Sequence, residues 1–357
     1  MKRRDFLAPR RLAQTAGHML GAVDELGTSL IESAPQEFAL LRFIRAAMAT
    51  DFEVALPLGT TNATAAAESA LDLIDALETQ LTVYQDASEV CRLNQRACME
   101  AVSVEVHLFG LLQLARQLTA ETEGAFDLTA GAIIKAWGFH RGPRRVPEPG
   151  ELAEARSRVG MRHVSLDDER QTVRYHRPGL EINLGSIGKG YALDRAAALL
   201  RNEWGISSGL LHGGHSSMYA MGTEPGNARG WAVGLSHPWQ PERRMAVLHL
   251  RDRALGTSAS TYRNLEYNGR KLGHILDPRS GWPVEGMASA SAIAPTAAEA
   301  DALATAFYIL GVEKTRQYCE LHPGIGAVLL EEGSESPVIF GIRSPQFDLI
   351  LPCEVTQ

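Results

Sequence analysis

Residues 181–194 read Glu-Ile-Asn-Leu-Gly-Ser-Ile-Gly-Lys-Gly-Tyr-Ala-Leu-Asp, and no other stretch restricts the fold as tightly. Leu180, Ile182 and Leu184 alternate like a strand and run into Gly185, Gly188 and Gly190. Ala192, Leu193, Ala196, Ala197 and Leu200 then recur with helical spacing. A strand, a glycine turn and a helix bring backbone N–H groups and a lysine up to a phosphate. Lys189 sits inside the turn, where a point charge could meet an anion. The stretch is not a Walker A loop, because Asn183 stands where that motif needs glycine and Gly190 where it needs Ser or Thr. The alternative is a tight turn whose lysine points to water.

At 357 residues, 45% of them hydrophobic, the chain is long enough for two lobes and a sizeable core. A formal charge of −7 argues against a general nucleic-acid binder. Cys91, Cys98, Cys319 and Cys353 form no CxxC pair, which argues against a cysteine zinc site or a disulfide framework. No stretch approaches the roughly 20 apolar residues of a membrane helix. Met1-Lys2-Arg3-Arg4-Asp5-Phe6-Leu7 looks like a twin-arginine export signal, although Arg10 and Arg11 interrupt the apolar segment and no clear cleavage site follows. Residues 1–45 are therefore expected to be a leader and lead-in helix, either exported or simply basic.

The periodicity predicts mixed helix and strand. A strand is expected at 52–56, then a helix capped by Thr64 and ending at Leu81, with Ala70, Ile74 and Leu77 on its buried stripe. Helices are expected near 107–119, 133–137 and 151–159, and a hairpin at 164–175. Residues 141–149 read as an exposed connection and a lobe boundary. Strands are expected at 209–212, 231–235, 245–250, 271–276, 288–294, 327–330 and 338–342. Residues 256–260 read as a small-residue loop and 277–281 as a turn. Thr296-Ala297-Ala298-Glu299 has the capping-box pattern, so a helix begins there and stops at Gly311.

Asp301 and Thr305, four apart, share a face of that helix. A carboxylate and a hydroxyl so spaced could give oxygen ligands to a hard cation such as Mg²⁺. The alternative is that Thr305 bonds back to its own helix and Asp301 favours the helix's positive end. His274, at a strand end beside a turn, fits a general base or a structural hydrogen bonder. His212 and His215 flank a glycine pair but lack a third partner for zinc.

Several short motifs follow one another along the chain. They are Met48-Ala49-Thr50, Tyr84 with Ser88-Glu89 and Leu93-Asn94, Gly124-Ala125-Phe126-Asp127, and Trp137-Gly138-Phe139. Gly185-Ser186-Ile187-Gly188-Lys189-Gly190, Gly213-Gly214, Thr257-Ser258, His274-Ile275-Leu276-Asp277-Pro278 and Asp301-Ala302-Leu303-Ala304-Thr305 follow. In this the chain resembles the ApbE family, the FAD:protein FMN transferases, from about residue 48 to 310. The resemblance implies an α+β fold of two lobes over 46–345, FAD in the cleft between them, and a tail at 346–357. It implies Mg²⁺-dependent transfer of FMN from FAD to a Thr or Ser hydroxyl of an acceptor protein, with release of AMP.

Carried over by motif, Asp301, Thr305 and the carbonyl of Ser186 would hold the metal and Lys189 would touch the FAD. Met48, Tyr84, Ala125, Phe126 and Asp127 would line the flavin and adenine pocket, Asn183 would belong to the FAD site, Ile275 would pack beside the cofactor, and His274 would be the base. The family usually has Asp at Asn183, Gly at Ala49, Gly or Ala at Ser186, Ala at Gly188, Asp at His215, and an acid near Ser260. Fewer acids would weaken metal binding, leaving an FAD carrier as one alternative and an FAD pyrophosphatase giving FMN and AMP as another. Family resemblance and Arg3-Arg4 together point to the bacterial periplasm or cell envelope, with the cytoplasm the other location.

Overall fold

Leu41, Phe43 and Ala47 turn inward between more exposed neighbours, and this alternation makes residues 40–47 a strand rather than the expected lead-in helix. The computed structural model describes residues 39–140, 142–259, 265–267, 269–342 and 347–350, the last four and 270–271 as backbone only. The leader with Arg3-Arg4, Ser260 and residues 351–357 lie outside the described residues, whereas 347–350 of the expected tail at 346–357 form a strand.

The first strand, β1 (Leu40–Ala47), pairs with β2 (Thr50–Pro57), Ala47 opposite Thr50, so Met48 and Ala49 form a two-residue turn. Such turns match the strand twist when both residues are left-handed. Met48 and Ala49 have φ of 49° and 61°, without the glycine that would relieve the strain. Helix α1 (Ala63–Leu81) follows with the predicted stripe buried. Its N-cap is Asn62, not Thr64, and Asn62 caps in the left-handed region without a side-chain bond. Ser88 caps α2 (Glu89–Arg96) by accepting from the Cys91 N–H at 3.0 Å.

Strand β3 (Val102–Ser103), α3 (Val106–Glu121), α4 (Gly131–Ala136) and α5 (Pro149–Ser157) lead to the predicted hairpin of β4 (Val164–Asp167) and β5 (Thr172–Tyr175). The glycine stretch then opens α6 (Gly188–Asn202), followed by β6 (Gly209–Gly213) and β7 (Ser217–Met221). Next come β8 (Trp231–His237), β9 (Gln240–Leu250), β10 (Arg253–Ala259), β11 (Leu265–Tyr267), β12 (Arg270–Leu272) and β13 (Met287–Ala294). Helix α7 (Ala297–Leu321) breaks at Gly311 (φ 73°), as predicted, but resumes as a second helical run. Strands β14 (Gly326–Glu331), β15 (Val338–Phe340) and β16 (Phe347–Ile350) complete the described chain.

Eight strands join in the order β1-β2-β6-β7-β10-β13-β14-β15, each neighbouring pair antiparallel. Helices α1, α6 and α7 pack on one face in the main core, which takes Phe52, Val54, Tyr219, Ala254, Ala292 and Leu329 from the sheet. The alternate residues Ala220, Leu255, Ile293 and Val328 meet Trp231, Val233 and Leu248 of the sheet β16-β9-β8 on the other face. The result is the expected α+β architecture, in three layers at its centre.

Two expectations fail on packing grounds. Residues 256–259 belong to strand β10, not to a loop. Gly256 is there because a Cβ would lie 2.4 Å from the Ala300 carbonyl oxygen of α7. Residues 180–184 do alternate, with Leu180, Ile182 and Leu184 buried, yet they join no sheet beyond one bridge, Ala130 to Glu181. The Asn94 side chain substitutes for a neighbouring strand: its Oδ1 accepts from the Ile182 N–H at 2.8 Å and its Nδ2 donates to the Ile182 carbonyl at 2.9 Å.

The strained turn gives a test. Ala49→Gly removes the Cβ from a left-handed residue and is expected to raise unfolding stability by about 1 kcal/mol. Denaturant unfolding of the two proteins measures it, and a loss of stability would show that the turn is not strained.

Candidate functional site

Helices α6 and α7 meet at their first turns. The residue before α6, Ile187, has no side-chain acceptor to offer. Asp301 of α7 takes its place: Oδ2 accepts from the Gly190 N–H at 2.8 Å. In return Asp194 of α6 accepts from the N–H groups of Ala297 and Ala298 at 2.7 and 2.8 Å. Thr296 adds its own cap, accepting from the Glu299 N–H at 3.2 Å. Each helix thus supplies a carboxylate to the other's unsatisfied donors and positive end. The contact requires glycine at 190, where a Cβ would stand 2.0 Å from the Ala297 carbonyl oxygen.

The Asp301 carboxylate is buried. Ser217 of β7 donates to its Oδ1 at 2.7 Å, and the Lys189 ammonium lies 4.0 Å from Oδ2. Burial pushes this carboxyl above its ordinary range, while Lys189, Ser217 and the Gly190 N–H act in the opposite direction. Thr305 Oγ1 donates back to the Asp301 carbonyl at 3.3 Å and lies 3.2 Å from Ser258 Oγ. Of the sequence alternatives, Thr305 does bond to its own helix, whereas the carboxylate of Asp301 has its partners on α6 and β7. Ser186 is half-buried in the turn just before α6.

Asn183 accepts from the Gly185 N–H at 2.8 Å, which shapes the entry to that turn. It also lines a cavity of about 200 Å³ with Asn94, Lys135, His140 and Glu181. Lys135 and Glu181 pair there at 2.6 Å. Tyr84, half exposed, stacks on His140 with ring centroids 4.7 Å apart. Tyr84 thus stacks on one of the residues that line the Asn183 cavity.

The remaining predicted residues are buried or half-buried. The side chains of Ala125 and Phe126 are buried in the main core. Asp127 is also buried, its oxygens accepting from Thr129 N–H, Thr129 Oγ1 and Met161 N–H at 2.8, 2.6 and 3.2 Å. Met48 and Ile275 pack half-buried against the same core. His274 is half-buried at a bend just after β12, and the Ile275 carbonyl accepts from the Val284 N–H at 3.0 Å. Asp277 holds the following turn through the backbone N–H and guanidinium of Arg279. His212 lies in β6 opposite Glu53, and among the described residues no group of three or more His, Cys, Asp or Glu could hold a metal.

Sequence reading missed Asp194, Ser217 and Asn94. Asp194 had a signal: it stands four residues after Gly190, one turn along the same helix face. Ser217 and Asn94 act across separations of 84 and 88 residues; Asn94 stood in the Leu93-Asn94 motif without a role, and Ser217 carried no signal.

Fold and junction together define an α+β protein that presents a buried carboxylate and a lysine where two helices begin. The ApbE family model matches residues 48–329, and the chain belongs to the ApbE family. It is 31% identical to the FAD:protein FMN transferase of Salmonella typhimurium, over 78% of this chain and 79% of the relative. To that of Treponema pallidum it is 32% identical, over 74% and 77%. The crystal structure of the ApbE protein from Thermotoga maritima superposes with a TM-score of 0.75 at 28% identity, covering 85% of this chain and 96% of the other.

Asp194 sets a pH dependence. Burial, reinforced by Asp301 and Glu299, pushes its carboxyl from 3.8 up to about 7, against its two backbone hydrogen bonds. Between these values the folded chain holds a proton that the unfolded chain has lost. Stability from this group therefore falls as pH rises from about 4 to about 7 and is level above. Asp194→Asn carries a constant cost from the lost acceptor, so its melting temperature should gain on the parent as pH rises through that window. Parallel profiles from pH 4.5 to 8 would contradict the assignment.

Proposed function

We propose that this chain transfers the FMN half of FAD to a Thr or Ser hydroxyl of an acceptor protein and releases AMP. The observation that carries the reading is the buried Asp301 carboxyl at the α6–α7 junction with Lys189 4.0 Å away, in a chain of this family.

Mg²⁺ fits the donors. Asp301, Thr305 and the Ser186 carbonyl offer only oxygens, the ligands a hard cation takes. Each Asp301 oxygen accepts one hydrogen bond among those described, which leaves lone-pair capacity on both. When bound, Mg²⁺ would offset the charge of the FAD pyrophosphate. Lys189 binds a phosphate oxygen and neutralises part of the same charge. The Asn183 cavity and the Tyr84 ring receive the aromatic ends of FAD. His274 takes the proton from the acceptor hydroxyl. The hydroxyl oxygen then bonds to the FMN phosphorus as the bridging P–O bond breaks and AMP leaves with that oxygen. The Arg3-Arg4 leader supports a bacterial periplasmic or envelope location for this reaction.

Incubation with FAD and Mg²⁺, with and without an acceptor domain, tests the reading through AMP and protein-bound flavin fluorescence. Both should appear together. FAD retained without AMP would mean a carrier, and AMP without labelled acceptor an FAD pyrophosphatase. Asp301→Ala should abolish AMP release while leaving residual FAD binding, and an unchanged rate would remove Asp301 from the site. His274→Ala should lower transfer by about 10²-fold or more, the usual contribution of a positioned base. Normal transfer would make His274 structural.

A further inference from the structure

Ser217 is an anomaly in its strand. On the helix-facing side of β7 its neighbours are Tyr219 and Met221, both in the apolar core, and Ser217 is as buried as they are. A buried hydroxyl costs free energy unless it is hydrogen-bonded, and alanine would fill the position without that cost. The Ser217 hydroxyl spends its single hydrogen on Asp301 Oδ1, at 2.7 Å. The approach is built into the sheet. Ser217 pairs in register with Gly256, whose missing side chain lets the Ala300 carbonyl of α7 come down to the strand. Asp301, the next residue, is thereby brought within reach of a side chain as short as serine.

The two donors divide the carboxylate between them, Ser217 on Oδ1 and the Gly190 N–H on Oδ2. Held at both oxygens, the carboxylate plane cannot rotate about its Cβ–Cγ bond without breaking a buried hydrogen bond. We propose that Ser217 is a positioning residue that fixes the Asp301 carboxylate in the orientation that binds a divalent cation. This rests on Asp301 as a metal ligand. Without the hydroxyl, one oxygen is released, the carboxylate turns, and cation affinity falls about 10- to 100-fold, the usual effect of losing a residue that orients a ligand.

The probe is Mn²⁺ in place of Mg²⁺, added to the full chain with FAD and read by loss of the free-ion paramagnetic resonance signal. Ser217→Ala should raise the Mn²⁺ Kd by about tenfold or more. Its FAD affinity without metal, read by flavin fluorescence in EDTA, should match the parent. The Mg²⁺ concentration for half-maximal AMP release should rise by the same factor as the Kd, with kcat falling far less. Ser217→Thr, which keeps the donor, should restore cation binding. Unchanged Mn²⁺ binding in Ser217→Ala, or an equal loss of FAD affinity without metal, would overturn the proposal. If the alanine variant does not fold, Ser217→Cys, with a weaker donor at nearly the same size, is judged by the same criteria. Asp301→Ala separates the two layers. If it binds Mn²⁺ like the parent, the ligand assignment itself fails. If it loses Mn²⁺ while Ser217→Ala keeps it, only the role of Ser217 fails.

Discussion

The reciprocal capping of α6 and α7 is the interaction on which the rest of the structure depends. A helix begins with N–H groups that its own turns cannot satisfy, and a buried helix end must find acceptors for them. Here Asp301 serves Gly190 while Asp194 serves Ala297 and Ala298, so neither helix start is complete alone. Two carboxylates in a dry junction are costly, and burial pushes both upward in pKa. Lys189 is the nearby cation that offsets the cost at Asp301, 4.0 Å away. A buried carboxyl with a perturbed pKa and a lysine beside it is the kind of group found at functional sites.

Small residues make the junction possible. Gly190 lets α6 touch the first turn of α7, and Gly256 lets α7 settle on β10. Alanines along β13 and α7 keep that interface thin, with Ala290, Ala292 and Ala294 of the strand and Ala300 and Ala304 of the helix in one core. Ser217 and Ser258 then reach α7 from the sheet with short side chains, one to Asp301 and the other to Thr305. The site is thus made by backbone proximity first and by side chains second. The turn at Met48 and Ala49 adds local strain of the kind that recurs near functional sites.

Much of this was legible in the sequence where the information is local. The glycine bend, the Thr296 cap, the Gly311 break and the (i, i+4) pairing of Asp301 with Thr305 all lie within a few residues of their causes. What was illegible depends on distant partners. Small residues at 256–259 look like a loop until α7 is laid across them. Residues 180–184 look like a sheet strand, yet their partner is the side chain of Asn94. Residues 40–45 fall in the stretch read as a lead-in helix, and become a strand through pairing with β2. Asp127 reads as a pocket residue by motif, but nothing in the sequence shows the three hydrogen bonds by which it ties Thr129 and Met161.

Amide hydrogen exchange at Gly190, Ala297 and Ala298 tests the junction most directly. First-turn amides of an ordinary helix exchange fast, because they lack intrahelical acceptors. Cross-capping predicts that these three are protected as strongly as amides in the middle of α6, and that Asp301→Ala exposes Gly190 selectively. Exchange at the rate of a frayed helix end at all three would contradict the account, since the carboxylates of Asp194 and Asp301 would then not be held where the two helices begin.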